Sequence, residues 1–90
     1  MAASVPSYTV DVKPSARKEL YLLDDSVLAR VIRKLEALRV TPRPSGSKKL
    51  KGFRDQWRIR VGDWRIIYVV DDARALVSIT RIAHRREVYE

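Results

Sequence analysis

Ninety residues bearing 19 Lys and Arg against 11 Asp and Glu, a net charge of +8, make one small basic domain spanning 1–90. Hydrophobic residues at 46% supply one modest core, and the lack of cysteine excludes a disulfide framework and a thiolate zinc site. That charge implies a polyanionic partner: nucleic acid, an acidic protein, or both.

The opening MAASVPSYTV has no basic region followed by an apolar stretch, so no signal peptide is expected, and 1–7 are expected to form a flexible arm. No apolar run approaches the ~20 residues of a membrane span. No membrane partner is expected, and cytoplasmic residence fits the cysteine-free composition.

Tyr8 to Val12 alternates and predicts a strand. Pro14-Ser15 opens a helix carrying Ala16, Glu19, Leu20 and Leu23 at helical spacing. Asp24-Asp25-Ser26 breaks it and offers N-caps for a second helix. There Leu28, Val31, Ile32, Leu35 and Leu38 form an apolar stripe, with Arg30, Arg33, Lys34 and Glu36 between them. Pro42 and Pro44 end that helix by Val40. A Pro/Ser/Gly loop follows, then the basic stretch Lys48-Lys49-Leu50-Lys51-Gly52.

Gln56 to Tyr68, QWRIRVGDWRIIY, reads as a β-hairpin. Gly62-Asp63 is a two-residue turn whose glycine supplies the positive φ that a II′ turn needs first. Trp57, Ile59 and Val61 point one way; Arg58 and Arg60 point the other. After the turn, Arg65, Ile67 and Val69 share one side, and Trp64, Ile66, Tyr68 and Val70 share the other. A loop at Asp71 to Arg74 and a strand near Ala75 to Ile82 complete the order β-α-α-β-β-β. The fold class is α+β: an antiparallel-rich sheet, a helical hairpin packed on one face, and an open basic face. Three arginines on one small hairpin make sense if a polyanion lies across them.

Four segments then carry a resemblance. They are Ala16-x-Lys18-Glu19-Leu20, Lys48-Lys49-Leu50-x-Gly52, the hairpin from Trp57 to Tyr68, and the ending His84-Arg85-Arg86-Glu87-Val88-Tyr89. In this order they resemble the RelE toxins of bacterial and archaeal toxin–antitoxin systems, within the RelE/ParE superfamily, from about Tyr8 to Tyr89. The resemblance implies a RelE-like fold and a ribosome-dependent endoribonuclease cutting mRNA in the decoding site. It also implies a small RelB-like antitoxin that wraps the toxin in a hetero-oligomer. It implies no cofactor and no metal.

Cleavage in such a family resembles attack of a ribose 2′-hydroxyl on the adjacent phosphate. Arginines aimed at the phosphorane-like transition state stabilise the charge that develops there. Arg65 matches the family's phosphate-contacting arginine. Arg58 and Arg60 stand where the best-known relative carries lysines. An arginine keeps its proton in any ordinary site, so these two fit phosphate binding and not proton removal. Arg85 matches a second family arginine, with Arg81 and Arg86 as alternatives, and both of these are also candidate RNA contacts. Tyr89 matches a C-terminal tyrosine that could stack on a splayed base. Lys48, Lys49 and Lys51 read as electrostatic attraction for RNA, with Lys49 and Lys51 as candidate bases if they fold over the hairpin. His84 is the sole histidine, and a lone histidine is more often structural. Two rival readings stay open: a ParE-type inhibitor of DNA gyrase, and a non-catalytic module that binds antitoxin or RNA.

Overall fold

The computed structural model describes residues 7–52 and 54–87. Most of the expected N-terminal arm therefore lies outside the described residues, as does Tyr89. The order is β1 (Thr9–Val12), α1 (Pro14–Tyr21), α2 (Asp25–Leu38), β2 (Lys48–Lys49), β3 (Gln56–Val61), β4 (Trp64–Asp71) and β5 (Leu76–His84), closed by a 3₁₀ turn at Arg85–Glu87. One five-stranded sheet runs β1-β5-β4-β3-β2. Only β1 pairs in parallel, with β5; the other three pairings are antiparallel. The α+β architecture is the one the sequence predicts, with β2 as an additional strand. Two lysines are too short a run to show alternation, so pairing with β3 alone reveals it.

Alternation decides the two faces of the sheet. Ile59, Val61, Ile66, Tyr68, Val70, Val77, Ile79 and Ile82 turn inward against Ala16, Leu20, Leu23, Val31, Leu35 and Leu38 from the helical segment. Tyr68 is fully buried, and its hydroxyl donates to the Pro42 carbonyl at 2.8 Å. Burial pushes that hydroxyl up to about 12, so it stays a neutral donor. Among the described residues no helix is long and apolar enough to cross a membrane.

The β3–β4 turn is the predicted two-residue hairpin. Val61 pairs Trp64, Gly62 has φ +60°, and Asp63 is not among the residues of positive φ. A Cβ on Gly62 would also sit 2.8 Å from the Arg30 guanidinium. The β4–β5 pairing carries a bulge: Ile67 faces Arg81, yet Tyr68 faces Ile79, so Thr80 is the extra residue. The Thr80 hydroxyl donates to the Ile67 carbonyl at 3.1 Å. The bulge reverses the parity of β5, turning Ile82 inward and Arg81 outward.

Arg43, in the proline loop, ties distant segments together. Its guanidinium donates to Asp55 and to both Asp72 oxygens, at 3.2 and 2.9 Å, and sits 5.6 Å over the Trp57 ring. Asp55 also accepts from the Trp57 indole at 2.8 Å, and Asp72 from the Tyr8 hydroxyl at 2.7 Å. The Arg43 hydrogen bonds hold both carboxyls below the usual carboxylate range.

Two outcomes follow from this construction. Gly62→Ala places an L-residue at positive φ and pushes Arg30 aside, so it should cost about 1–3 kcal/mol in urea unfolding; an unchanged midpoint would refute the turn's dependence on glycine. Asp55 and Asp72 have lowered folded-state values, so their stabilisation is present above the unfolded value of about 3.9 and is lost as pH falls through the folded values. Arg43→Gln should therefore lower stability at neutral pH and flatten the loss below about pH 4. Parallel acid limbs in the two proteins would show that Arg43 does not set these carboxyls.

Candidate functional site

The face away from the helices is built in rows across the strands. One row runs Lys48, Arg58, Ile67, Arg81, and the next runs Arg60, Arg65, Ala83. Each position is fixed by backbone register, and every cation there is the outward member of an alternating strand. Lys48 stands directly opposite Arg58, and Arg60 directly opposite Arg65. Like charges facing each other across a ladder destabilise the sheet.

The second row opens into a cleft of about 150 Å³ lined by Arg60, Gly62, Asp63, Arg65 and Arg85. Arg85 arrives there because β5 overruns its pairing with β4. Its backbone N–H donates to the Asp63 carbonyl at 2.8 Å, which pins the 3₁₀ turn to the hairpin tip. Its Nε lies 3.8 Å from Asp63 Oδ1. Three of the sequence-predicted site residues, Arg60, Arg65 and Arg85, thus line one cleft with Asp63, the single carboxylate beside them among the described residues.

The other candidates fall elsewhere. Arg58 has the predicted facing but is only 7% exposed, between Lys48 and Ile67 in the more central row, and it does not line the cleft. Arg81 shares the face, but its Nε donates to Glu19 Oε2 at 2.9 Å. Lys48 is exposed on this face, whereas Lys49 pairs with Trp57 and so faces the other way, with its Nζ 3.9 Å from Asp55. Lys51 and Arg86 are exposed and outside the cleft. His84 pairs with Trp64 on the helix side, its ring edge-on to the indole at 5.4 Å. Its Nδ1 accepts from the Arg86 N–H at 3.3 Å. These contacts give it a structural place away from the cleft.

Two residues gained a place that sequence reasoning did not assign. Asp63 is the carboxylate among the described residues that line the cleft, and its position in the hairpin turn beside Arg65 was the available signal. Glu19 accepts from both Arg81 and the Ile82 backbone N–H, the latter at 2.7 Å. Beyond Val12, among the described residues, the outer edge of β5 has no strand beside it, and this carboxylate takes the partner's role. Among the described residues no group of three or more His, Cys, Asp or Glu side chains could hold a metal ion.

The described residues thus form a two-helix, five-stranded domain with an arginine cleft on its open face. The family model for the ParE toxin of type II toxin–antitoxin systems, parDE, matches residues 10–89. Toxin RelG of Mycobacterium tuberculosis is 31% identical over 88 residues, spanning 91% of this chain and 95% of RelG. Among solved structures, the archaeal RelE–RelB complex from Pyrococcus horikoshii superposes with a TM-score of 0.82 at 26% identity, covering 91% of this chain and 99% of that one. The RelBE2 toxin–antitoxin complex from Mycobacterium tuberculosis gives 0.79 at 28%, covering 96% and 100%. This chain belongs to the ParE toxin family of type II toxin–antitoxin systems, and its similar proteins are RelE-type toxins.

Glu19→Ala should leave the Ile82 amide and Arg81 without their acceptor, at a cost of about 1–3 kcal/mol. Hydrogen exchange reads this directly: the Ile82 amide should lose protection beyond the global change. Retained protection would mean that another group satisfies that edge.

Proposed function

We propose that this toxin is a ribosome-dependent endoribonuclease that cuts mRNA in the decoding site and so stops translation. The observation that carries the reading is the cross-strand pair Arg60–Arg65 joined by Arg85 in one cleft. Such a cluster lowers stability while empty, and a phosphodiester relieves the repulsion. The attacking 2′-oxygen forms a bond to phosphorus as the bond to the 5′-oxygen breaks. Charge grows on the non-bridging oxygens, where the guanidinium forks stabilise it more than they stabilise the substrate. Arginines do not take the 2′-hydroxyl proton; the Asp63 carboxylate is the acceptor among the lining side chains. With so little acid–base machinery, orientation of the mRNA by the ribosome supplies much of the rate. Tyr89 belongs to this reading as a base-stacking aromatic, and Lys48 as an outlying phosphate contact.

The partner that restrains it is a small RelB-like antitoxin, acidic where it meets this face. The RelE–RelB and RelBE2 complexes among the similar structures support that partner. Ile67, Val69 and Leu76 on the same face, each only partly buried, offer it apolar contact beside the cations.

Primer extension on a defined mRNA in programmed ribosomes tests the reading. Wild type should give discrete cuts within the decoding-site codon, dependent on ribosomes and abolished by added antitoxin. Arg65→Ala should cut at least about a hundredfold more slowly, the loss typical of removing one oxyanion donor. The family model's ParE description favours a second reading, inhibition of DNA gyrase. Absence of cuts together with inhibited supercoiling would replace the first reading with the second.

A further inference from the structure

The cleft does not end at the hairpin tip. A second groove of about 410 Å³ lies between α2 and the β3–β4 turn, lined by Arg30, Arg33, Lys34, Ala37, Arg60, Val61 and Gly62. Arg60 and Gly62 line both spaces, so the groove and the cleft adjoin. Four of its seven lining residues are cations, and none is a carboxylate. All four are exposed, and among the described residues none of them enters an ion pair.

Local geometry builds this groove. Arg30, Lys34 and Ala37 recur at i, i+4 and i+7 along one stripe of α2, beside the stripe that buries Val31, Leu35 and Leu38. Ala37 leaves room where a longer side chain would fill the channel. Gly62 lets the Arg30 guanidinium come against the turn, since a Cβ there would meet Nη2 at 2.8 Å. Cations lining one groove repel one another, and an anion lying along it offsets that repulsion.

We infer that this groove binds the sugar–phosphate backbone of the single RNA strand that occupies the cleft, carrying it around the hairpin tip and along α2. The inference rests on the reading of the cleft as an RNA site. Continuity favours an RNA backbone over an acidic peptide: guanidinium forks match phosphate and carboxylate alike, but Arg60 and Gly62 join this groove to the cleft that, on the reading above, holds the RNA phosphate. The flanking nucleotides add affinity without adding chemistry, and the groove reads no base.

The test uses 2′-O-methyl RNA, which cannot attack its own phosphate, so binding is measured without cleavage. A trinucleotide fills the cleft alone; a dodecamer reaches the groove as well. Arg30→Gln combined with Lys34→Gln should leave trinucleotide binding unchanged. It should weaken the dodecamer about tenfold and lower its salt slope by about 1.4, two single-strand phosphate contacts. Equal loss on both oligonucleotides would reduce the groove to a general field effect, and no loss on either would remove it. Loss of polyglutamate binding with dodecamer binding intact would make it a protein site. A urea midpoint equal to wild type, expected for exposed side chains, guards against misfolding. A protein that cuts nothing on ribosomes but shows the length-dependent loss keeps the groove and loses the nuclease reading.

Discussion

The whole molecule depends on one sheet keeping its two faces apart. A slip of β3 by one residue against β4 would carry Arg58 and Arg60 into the core and Ile59 and Val61 into water. Burying unpaired guanidinium groups costs far more than any turn preference can repay. The register is therefore set by the charges as firmly as by the apolar side chains. The hairpin glycine serves this register, because a two-residue turn of this hand fixes which residues face each other. The Arg60–Arg65 pair of the cleft is thus a product of sheet register, and the hairpin and 3₁₀ turns complete the cleft around it.

That frame is closed at its edges by two polar devices. At the β5 edge, Glu19 of α1 stands in for a missing strand, taking the Ile82 N–H and the Arg81 guanidinium together. At the opposite end of the sheet, Arg43 joins the proline loop to Asp55 before β3 and to Asp72 in the β4–β5 loop. In both devices an arginine is held by carboxylate partners within the fold. Arg43 and Arg81 are neutralised by partners, whereas Arg60, Arg30, Arg33 and Lys34 enter no ion pair with a described residue. The described cations thus divide into those paired within the fold and those with no ion pair to a described residue.

Much of this was legible because it is local. The apolar stripe of α2, the II′ turn at Gly62-Asp63 and the opposed facings of Trp57 and Arg58 are all patterns within one segment. What was hidden depends on pairing between segments. The bulge at Thr80 cannot be read from β5 alone, so nothing in the sequence said that Arg81 would turn outward. Glu19 stood in a recognised motif without a role, because its partner lies 62 residues away. Arg58 carried the right facing, but its burial comes from neighbours in β2 and β4. Among Arg81, Arg85 and Arg86, sequence spacing left the cleft residue open. The backbone bond from Arg85 to Asp63 is what brings that arginine to the hairpin tip.

The same division of charge explains why so small a domain tolerates a net charge of +8. Self-repulsion of cations weakens a compact state. Here much of it lies on a ladder of paired strands and on one face of a 14-residue helix. A polyanion or an acidic partner on that face would offset the repulsion. Binding and folding stability are then coupled in one direction: whatever neutralises the open face stabilises the toxin by mass action. An antitoxin that covers the arginines blocks the cleft and relieves the charge in the same act. Its presence should therefore raise the stability of the toxin more steeply at low salt than at high salt.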